Sequence, residues 1–331
     1  MTPTRLASAA ALAAASVLVL AGCAGASASS DDGRLQVLAS TNVYGQIVQE
    51  IGGDAVDVTS LITSGAQDPH SFEPSAQDQL AVSNADLIVE NGGGYDSFVE
   101  SLVSASGTDA PVITAAEYSH DWPGNAGHAE DSTEAPVDEA PSDEPEHSDD
   151  DGHDHIEGFN EHVWYDPHTV EHVAEAIADE LSSLAPDDAA TFSSNLDAFT
   201  GQIGSLESSL TQIEEMDAGA SIFVTEPVPL YLTGAAGLVN VTPEAFSEAV
   251  EEGQDVPPAT LLEALGLLES GEVRVVIVNA QTGGAETTQI VDTAEGRGIP
   301  VLEFAETLPE GQTYISWMND NVAQLAAALA E

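Results

Sequence analysis

The chain has 331 residues, of which 4 are Lys or Arg and 58 are Asp or Glu, so its formal net charge is −54 at pH 7. A surface this negative argues against nucleic acid as a partner, because phosphate backbones are held by Lys and Arg, and it disfavours adhesion to anionic lipid. Hydrophobic residues make up 42% of the chain, which is enough to bury a core, and the length favours two domains.

Residues 1–22 are predicted to be a signal peptide. Arg5 supplies a positive charge, and residues 6–20 form an unbroken run of apolar and small residues. The run Leu-Ala-Gly-Cys at 20–23 resembles a bacterial lipoprotein signal, in which Cys23 becomes the lipidated first residue of the mature chain. A transmembrane anchor is the alternative, but the run is short for a span. The sequence therefore predicts an extracytoplasmic protein anchored to the cell membrane, with residues 23–33 as a flexible tether.

The next part of the chain alternates short apolar runs with longer amphipathic ones. Strands are predicted at 35–40, 56–62, 86–90 and 111–114, and helices at 42–51, 75–84 and 95–104. Ser75 suits the N-cap of the second helix, and residues 91–94 form a glycine-rich loop. Such alternation indicates βαβ units and a mostly parallel sheet.

The pattern breaks at residues 122–158. This segment has almost no large apolar residues and carries 13 acidic residues between 130 and 157, together with histidines such as His153 and His155. Because it cannot offset the entropy lost on ordering, a disordered acidic loop containing histidines is predicted.

Regular patterning then returns. A helix is predicted at 169–184, and residues 186–216 stay compatible with a second helix, which would span about 45 Å and could link two lobes. Beyond it, strands are predicted at 221–225, 238–241, 273–278 and 299–304, and helices at 229–236, 258–269, 285–297 and 314–330. The repeated rhythm predicts α/β lobes at 34–185 and 218–331, joined by a linking helix at 186–217, with a ligand in the cleft between them.

Four short runs carry a resemblance to a known family. They are Leu-Ala-Ser-Thr-Asn-Val-Tyr at 38–44, Asp-Pro-His-Ser-Phe-Glu-Pro at 68–74, Ala-Asp-Leu-Ile-Val-Glu-Asn-Gly at 85–92 and His-Val-Trp-Tyr-Asp-Pro at 162–167. With the lipoprotein signal and the acidic loop, they resemble the zinc and manganese substrate-binding proteins of bacterial ABC transporters over essentially the whole mature chain. The resemblance implies two Rossmann-like lobes with mostly parallel sheets, bridged by a long rigid helix.

The resemblance also implies a metal site at the lobe interface, with two ligands from each lobe. The corresponding positions are His70, His162, Glu226, where many members have histidine, and Glu306, where aspartate is usual. Glu303 is the alternative for the fourth position. Independently of the family, imidazole and carboxylate are common ligands of first-row divalent metals, and two carboxylates neutralise a doubly charged ion in a dry cleft.

The sequence leaves the identity of the bound metal open between zinc and manganese. A carboxylate in place of a third imidazole favours harder ions such as manganese, whereas imidazoles and tetrahedral geometry suit zinc. Acidic loops rich in histidine go with zinc in this family, so zinc is the first candidate and manganese the second.

Several of these residues also have purely structural interpretations. His70 would by itself be an ordinary surface residue, and Glu226 could be an acid at a helix N-terminus, since Pro227 suits a first helical turn. His168 and His172 are expected to be exposed. Residues 279–283 end a strand at the same cleft and could donate hydrogen bonds that orient a ligand.

Three classes of function are compared. The resemblance implies a monomeric receptor that passes a divalent metal to an ABC permease and its ATPase, without catalysis. A zinc enzyme is disfavoured because no His-Glu-x-x-His run occurs and four protein ligands would leave no position open to water. A receptor for an organic ligand such as a siderophore should offer more aromatic residues and arginines.

Overall fold

Two four-stranded parallel sheets organise the protein, in a computed structural model that describes residues 33–125, 156 and 158–330. The first sheet contains β1 (Leu35–Thr41), β2 (Val56–Ile62), β3 (Leu87–Glu90) and β4 (Val112–Thr114), in the order β2-β1-β3-β4. The second contains β5 (Ser221–Val224), β6 (Val239–Asn240), β7 (Val273–Asn279) and β8 (Val301–Phe304), in the order β6-β5-β7-β8. The predicted pair of α/β lobes with parallel sheets is confirmed.

Helices connect these strands. They are α1 (Asn42–Gly52), α2 (Ala76–Ser83), α3 (Phe98–Ser106), α4 (Pro167–Leu184), α5 (Ala189–Asp217), α6 (Leu230–Ala235), α7 (Glu244–Glu251), α8 (Pro258–Ser270), α9 (Ala285–Arg297) and α10 (Tyr314–Leu329). Ser75 caps α2 as predicted, in a reciprocal pair of hydrogen bonds with Asp78. Within the described ranges, no helix combines the length and the apolar character needed to cross a membrane.

Both sheets change direction at their centre. In the first, the chain moves outward from β1 to β2 and then returns to the other side of β1 for β3, and β5, β6 and β7 repeat this path in the second. Such a reversal opens a crevice beyond the carboxyl ends of the strands, which is where ligands bind in open α/β sheets.

The long helix α5 is in contact with both halves of the chain. Its 29 residues span about 43 Å at the usual rise per residue. It packs against α1 and α4 from the first half and against α6 and α10 from the second. Its buried side chains recur at intervals of three, four or seven residues, which places them on one apolar stripe along the helix: Phe192, Phe199, Ile203, Leu206, Leu210 and Ile213.

One hydrophobic cluster joins the two lobes. It contains Val37 and Val89 from the first sheet, Ile222 and Ile277 from the second, and Leu206 from α5. The opposite face of each sheet has a smaller cluster of its own. Separating the lobes would therefore expose shared core to water, which the hydrophobic effect opposes.

Several local predictions are wrong. Tyr95 does not begin a helix: the glycines at 92–94 all take positive φ, and Asp96 accepts hydrogen bonds from the backbone of Asn91 and Gly92, so these residues form a turn ahead of α3. Helix α7 was not predicted. The long helix begins at Ala189 rather than at 186, and β6 has two residues.

The predicted signal peptide, Cys23 and most of the predicted acidic loop lie outside the described residues.

Candidate metal centre

The sequence-predicted ligands lie where strands end and helices begin. His70 is in the loop after β2, Glu226 follows β5 by two residues, and Glu306 follows β8 by two residues. His162 comes directly before the short helical turn Val163–Tyr165, which leads into α4. Because parallel strands end at the same edge of a sheet, these loops meet at the crevices described above.

Three of the four side chains converge. His70, His162 and Glu306 each offer a ligand atom, and these atoms all lie within 4.8 Å of one another. Glu226 is outside this group but is connected to it, because Asn279 Nδ2 donates to Glu226 Oε2 at 2.9 Å and to Glu306 Oε1 at 2.6 Å.

His162 is held in one tautomer. Asn160 Nδ2 donates to the carbonyl of Pro227 at 3.1 Å, which fixes the orientation of the amide and turns Asn160 Oδ1 towards His162 Nδ1 at 2.8 Å. An amide oxygen only accepts hydrogen bonds, so in the neutral ring the proton resides on Nδ1 and Nε2 keeps its lone pair. This is the arrangement that a metal-binding imidazole requires.

His70 is positioned by a turn and by an aromatic ring. Asp68 Oδ1 accepts from the backbone N–H of His70 at 3.0 Å, and Asp68 Oδ2 accepts from Ser71 Oγ at 2.7 Å. The imidazole meets the Tyr95 ring edge to face, with centroids 4.9 Å apart. The His70 and His162 ring centroids are 6.3 Å apart, which leaves room for an ion between the two rings.

The two carboxylates are buried and well supplied with donors. Glu226 and Glu306 are 3% and 4% exposed. Tyr95 donates to Glu306 Oε2 at 3.1 Å, and Thr282 Oγ1 donates to Glu226 Oε1. The hydrogen bonds expected from residues 279–283 are therefore present, and they restrict both side chains before any ion binds.

Burial makes both carboxylates reluctant to ionise. It raises the pKa of Glu226, and together with the nearby charge of Glu226 it raises the pKa of Glu306 to about 7, even though Asn279 and Tyr95 donate to that carboxylate. Two anionic groups in one dry pocket repel each other. A divalent cation would relieve this repulsion and favour the ionised form of both.

The structure answers two questions left open by the sequence. Glu303 is exposed on β8, whereas Glu306 lies in the cleft with His70 and His162. Helix α6 begins at Leu230, so Glu226 and Pro227 lie outside its first turn and the interpretation of Glu226 as a helix N-terminal acid is wrong.

Three contributors were missed. Tyr95 was assigned to a helix, Asn160 carried no recognisable motif, and Glu251 belonged to a helix that was not predicted. Glu251 Oε1 lies 4.0 Å from His162 Nε2, and Glu161, His162 and Glu251 form a second close group of ligand atoms. Of these three residues, only Asn160 had a signal in the sequence, which is its position two residues before His162.

A cleft of about 540 Å³ opens beside the site. Its walls come from both lobes and include His70 and Thr282 next to the acidic residues Asp68, Glu251 and Glu286. An acidic cleft with low-dielectric walls concentrates cations near its base.

The family model described as "Zinc-uptake complex component A periplasmic" matches residues 37–328 of the chain. The chain belongs to this family. It is 26% identical over 326 residues to the manganese-binding lipoprotein MntA of Halalkalibacterium halodurans, and the alignment covers 95% of each chain. It is 25% identical over 300 residues to the zinc-binding lipoprotein AdcA of Streptococcus pneumoniae, covering 89% of this chain and 56% of that protein.

Solved structures agree on the fold. The periplasmic zinc-binding protein TroA from Treponema pallidum superposes with a TM-score of 0.67 over 90% of this chain and 100% of that one. At 18% sequence identity, this likeness concerns the fold alone.

Proposed function

We propose that the protein is the extracytoplasmic receptor of an ABC transporter, which captures a divalent metal between its lobes and delivers it to a permease and its ATPase. The metal is its cargo, held by His70, His162, Glu226 and Glu306. The observation that supports this most directly is the convergence of His70, His162 and Glu306, whose ligand atoms lie within 4.8 Å of one another. The relatives are binding proteins rather than enzymes.

Zinc is the first candidate for the cargo. Two imidazoles, one of them held in the ligating tautomer by Asn160, and a small ligand cluster suit the tetrahedral geometry that zinc prefers. Four protein ligands would fill the coordination sphere and leave no position for a reactive water.

Manganese is the second candidate, and a specific observation favours it. Glu226 brings a second buried carboxylate to the cleft, and harder oxygen donors suit manganese better than a third imidazole would. The relatives include proteins named for manganese as well as for zinc.

Capture and release involve small movements in this proposal. The acidic cleft gathers cations, and His70 and His162 exchange the water of the ion for nitrogen ligands while Asn279 holds the two carboxylates in reach. Because the lobes share one hydrophobic cluster, we expect release by a local shift of the segments carrying Glu226 or Glu306 when the permease docks. A large hinge closure on metal binding, measured by solution scattering, would contradict this mechanism.

The membrane attachment is part of the proposal. Cys23 would carry the lipid after signal-peptide cleavage, and the monomeric receptor would stay tethered to the outer face of the cell membrane. The relatives named as lipoproteins support this assignment.

The test is metal binding by the chain lacking residues 1–23. We expect one tight zinc ion per chain, with binding weakened at least about tenfold in His70→Ala, Glu226→Ala and Glu306→Ala, since even an orienting partner is worth that much. Glu303→Ala is the matched control, because Glu303 is an exposed carboxylate three residues from Glu306.

Competition between metals decides the cargo. Retention of zinc against excess manganese would support a zinc receptor, and preference for manganese would assign manganese uptake. Absence of any stoichiometric metal in the intact chain, or equal binding by His70→Ala, would overturn the proposal.

A further inference from the structure

A second group of metal-ligating side chains lies on the α4–α5 helix pair, outside the cleft. His168, Glu171 and Glu207 each offer a ligand atom, and these atoms lie within 4.8 Å of one another. His168 is exposed, and Glu171 and Glu207 are half-buried. The group shares no residue with the site between the lobes.

Helix geometry explains this convergence. His168 and Glu171 are three residues apart in α4 and His172 is four residues from His168, so all three side chains occupy one face of the first turns. Helices α4 and α5 are joined by a connection of only four residues and pack against each other. The chain therefore reverses between them, and the start of α4 lies beside the middle of α5, where Glu207 is located.

A second imidazole lies next to the group. The His168 and His172 rings meet at a steep angle with centroids 4.7 Å apart. His172 Nδ1 is 3.0 Å from Glu175 Oε2, and a neutral imidazole that donates from Nδ1 keeps its lone pair on Nε2. His172 therefore places a second imidazole directly beside the ring of His168.

The charge balance of the chain favours a cation here. Neighbouring helices commonly neutralise facing carboxylates with lysine, but the sequence contains no lysine and only four arginines. Arg274 donates to the carbonyl of Leu329, and Arg297 pairs with Glu269. Both arginines therefore interact within the second lobe. A protein of this charge draws divalent cations from solution to sites where several carboxylates meet.

We propose that His168, Glu171 and Glu207 bind a second divalent cation of the zinc class on the outer face of the α4–α5 pair, with His172 as an adjacent imidazole. One nitrogen and two carboxylate oxygens, completed by water, form an open coordination sphere that exchanges its ion readily. The ion connects α4 to the long helix that contacts both lobes. This site is independent of the proposed transport function.

Occupancy has a local consequence. An ion bound by residues of two helices in the folded state stabilises that state by mass action. The opened state of α4 against α5 is therefore less populated when the site is filled, and the effect is confined to the first turns of α4 and the middle of α5.

The experiment is hydrogen exchange with mass spectrometry on the full mature chain, at zinc concentrations above those that fill the first tight site. We expect slower exchange in peptides from α4 and from the part of α5 around Glu207. His168→Ala and Glu207→Gln should abolish this slowing and weaken the second class of bound zinc at least about tenfold. Glu215→Gln is the matched control, because it removes one charge from an exposed glutamate of the same helix.

The outcomes separate this site from its neighbours. The histidines of residues 122–158 are present in every variant, so any zinc that they bind contributes equally to the parent chain and to each variant. His70→Ala tests the cleft alone and should leave the slowing in α4 and α5 unchanged. Slowing that persists in both Glu207→Gln and His168→Ala, or that Glu215→Gln abolishes equally, would overturn the proposal. If His168→Ala is poorly folded without metal, Glu207→Gln alone decides.

Discussion

Asn279 is the residue that brings the two carboxylates of the second lobe together. It ends β7, is 5% exposed, and donates from one nitrogen to Glu226 and to Glu306. Without this bridge, two buried like charges would move apart. Asn279 therefore acts on the metal through the orientation of both ligands rather than by binding it.

Replacing Asn279 should lower metal affinity without removing a ligand. We expect Asn279→Ala to weaken binding about 10- to 100-fold, which is the usual cost of losing a partner that orients metal ligands. Thr282→Val removes a donor to Glu226 alone and should have a smaller effect. Competition with a chromophoric chelator measures both, and equal affinities for Asn279→Ala and the parent chain would rule out this role.

Glu90 makes stability depend on pH at a position away from the metal centre. It lies at the end of β3, is 5% exposed, and accepts a hydrogen bond from Thr114 at 2.9 Å. Burial, reinforced by the nearby charge of Asp96, raises the pKa of Glu90 from 4.5 to about 8. Between these values the folded chain keeps a proton that the unfolded chain loses, so this residue lowers stability as pH rises.

Glu90→Gln should therefore stabilise the protein in a pH-dependent manner. The amide still accepts from Thr114 but cannot ionise, so we expect a gain of about 2–4 kcal/mol at pH 8 that shrinks towards zero near pH 4.5. Chemical denaturation across this range measures it. Glu50→Gln, at an exposed position of α1, should change stability by less than about 0.5 kcal/mol throughout. A gain that does not vary with pH would contradict the assignment.

At the scale of elements, α5 is longer than its local sequence favours. Gly201 and Gly204 lie on its exposed side, and a Cβ added at either would meet nothing within 4 Å. Glycine inside a helix costs stability because it loses more backbone freedom on folding than alanine does. The helix is held by the apolar stripe it buries against both lobes instead of by its own propensity.

Alanine at these two positions should stabilise the protein. We expect Gly201→Ala with Gly204→Ala to raise the free energy of unfolding by about 1–2 kcal/mol. Gly52→Ala is the contrasting variant, because its new Cβ would lie 2.6 Å from Val56 Cγ2 in the core, and overpacking of this kind costs about 1–3 kcal/mol. Thermal and denaturant unfolding measure the effects of these substitutions. A change of stability with the same sign in α5 and in α1 would contradict the packing argument.

For the molecule as a whole, charge opposes compactness. A formal charge of −54 on 331 residues produces self-repulsion in the folded state, which salt screens as the Debye length falls from about 10 Å at 0.1 M to about 3 Å at 1 M. We expect the melting temperature to rise with sodium chloride and to level off as screening is completed. A linear rise without a plateau, or no rise, would show that repulsion between surface charges is not the cause.

The sequence predicted the fold well where periodicity and capping agree. The βα rhythm located every strand of both sheets to within a few residues, and Ser75 was recognised as the cap of α2. The errors fall where local signals are weak or are overridden. Helical propensity placed Tyr95 in α3, but three glycines with positive φ and the carboxylate of Asp96 turn the chain there. This turn, which was predicted to be the start of a helix, positions Tyr95, whose hydroxyl donates a hydrogen bond to Glu306.

Some residues of the candidate site could be predicted from the sequence, and others could not. His70 and His162 sit in runs that are recognisable along the chain, and Glu226 and Glu306 correspond to family positions even though their residue types differ. The choice of Glu306 over Glu303 depended on which carboxylate leaves β8 towards the cleft. Tyr95 and Glu251 come from separate parts of the chain, so no spacing connects them to the site, and Asn160 lies two residues before His162 but carries no recognisable motif.

The sequence by itself determined the class of fold, the acidic character of the surface and the residue types available for a metal. These follow from periodicity, composition and short motifs, which are local properties of the chain. Only the tertiary structure decided which side chains converge, that Asn279 bridges two carboxylates, that both lobes share one core and that α4 meets Glu207. Those features depend on contacts between residues far apart in sequence, and the packing of the whole chain sets their distances.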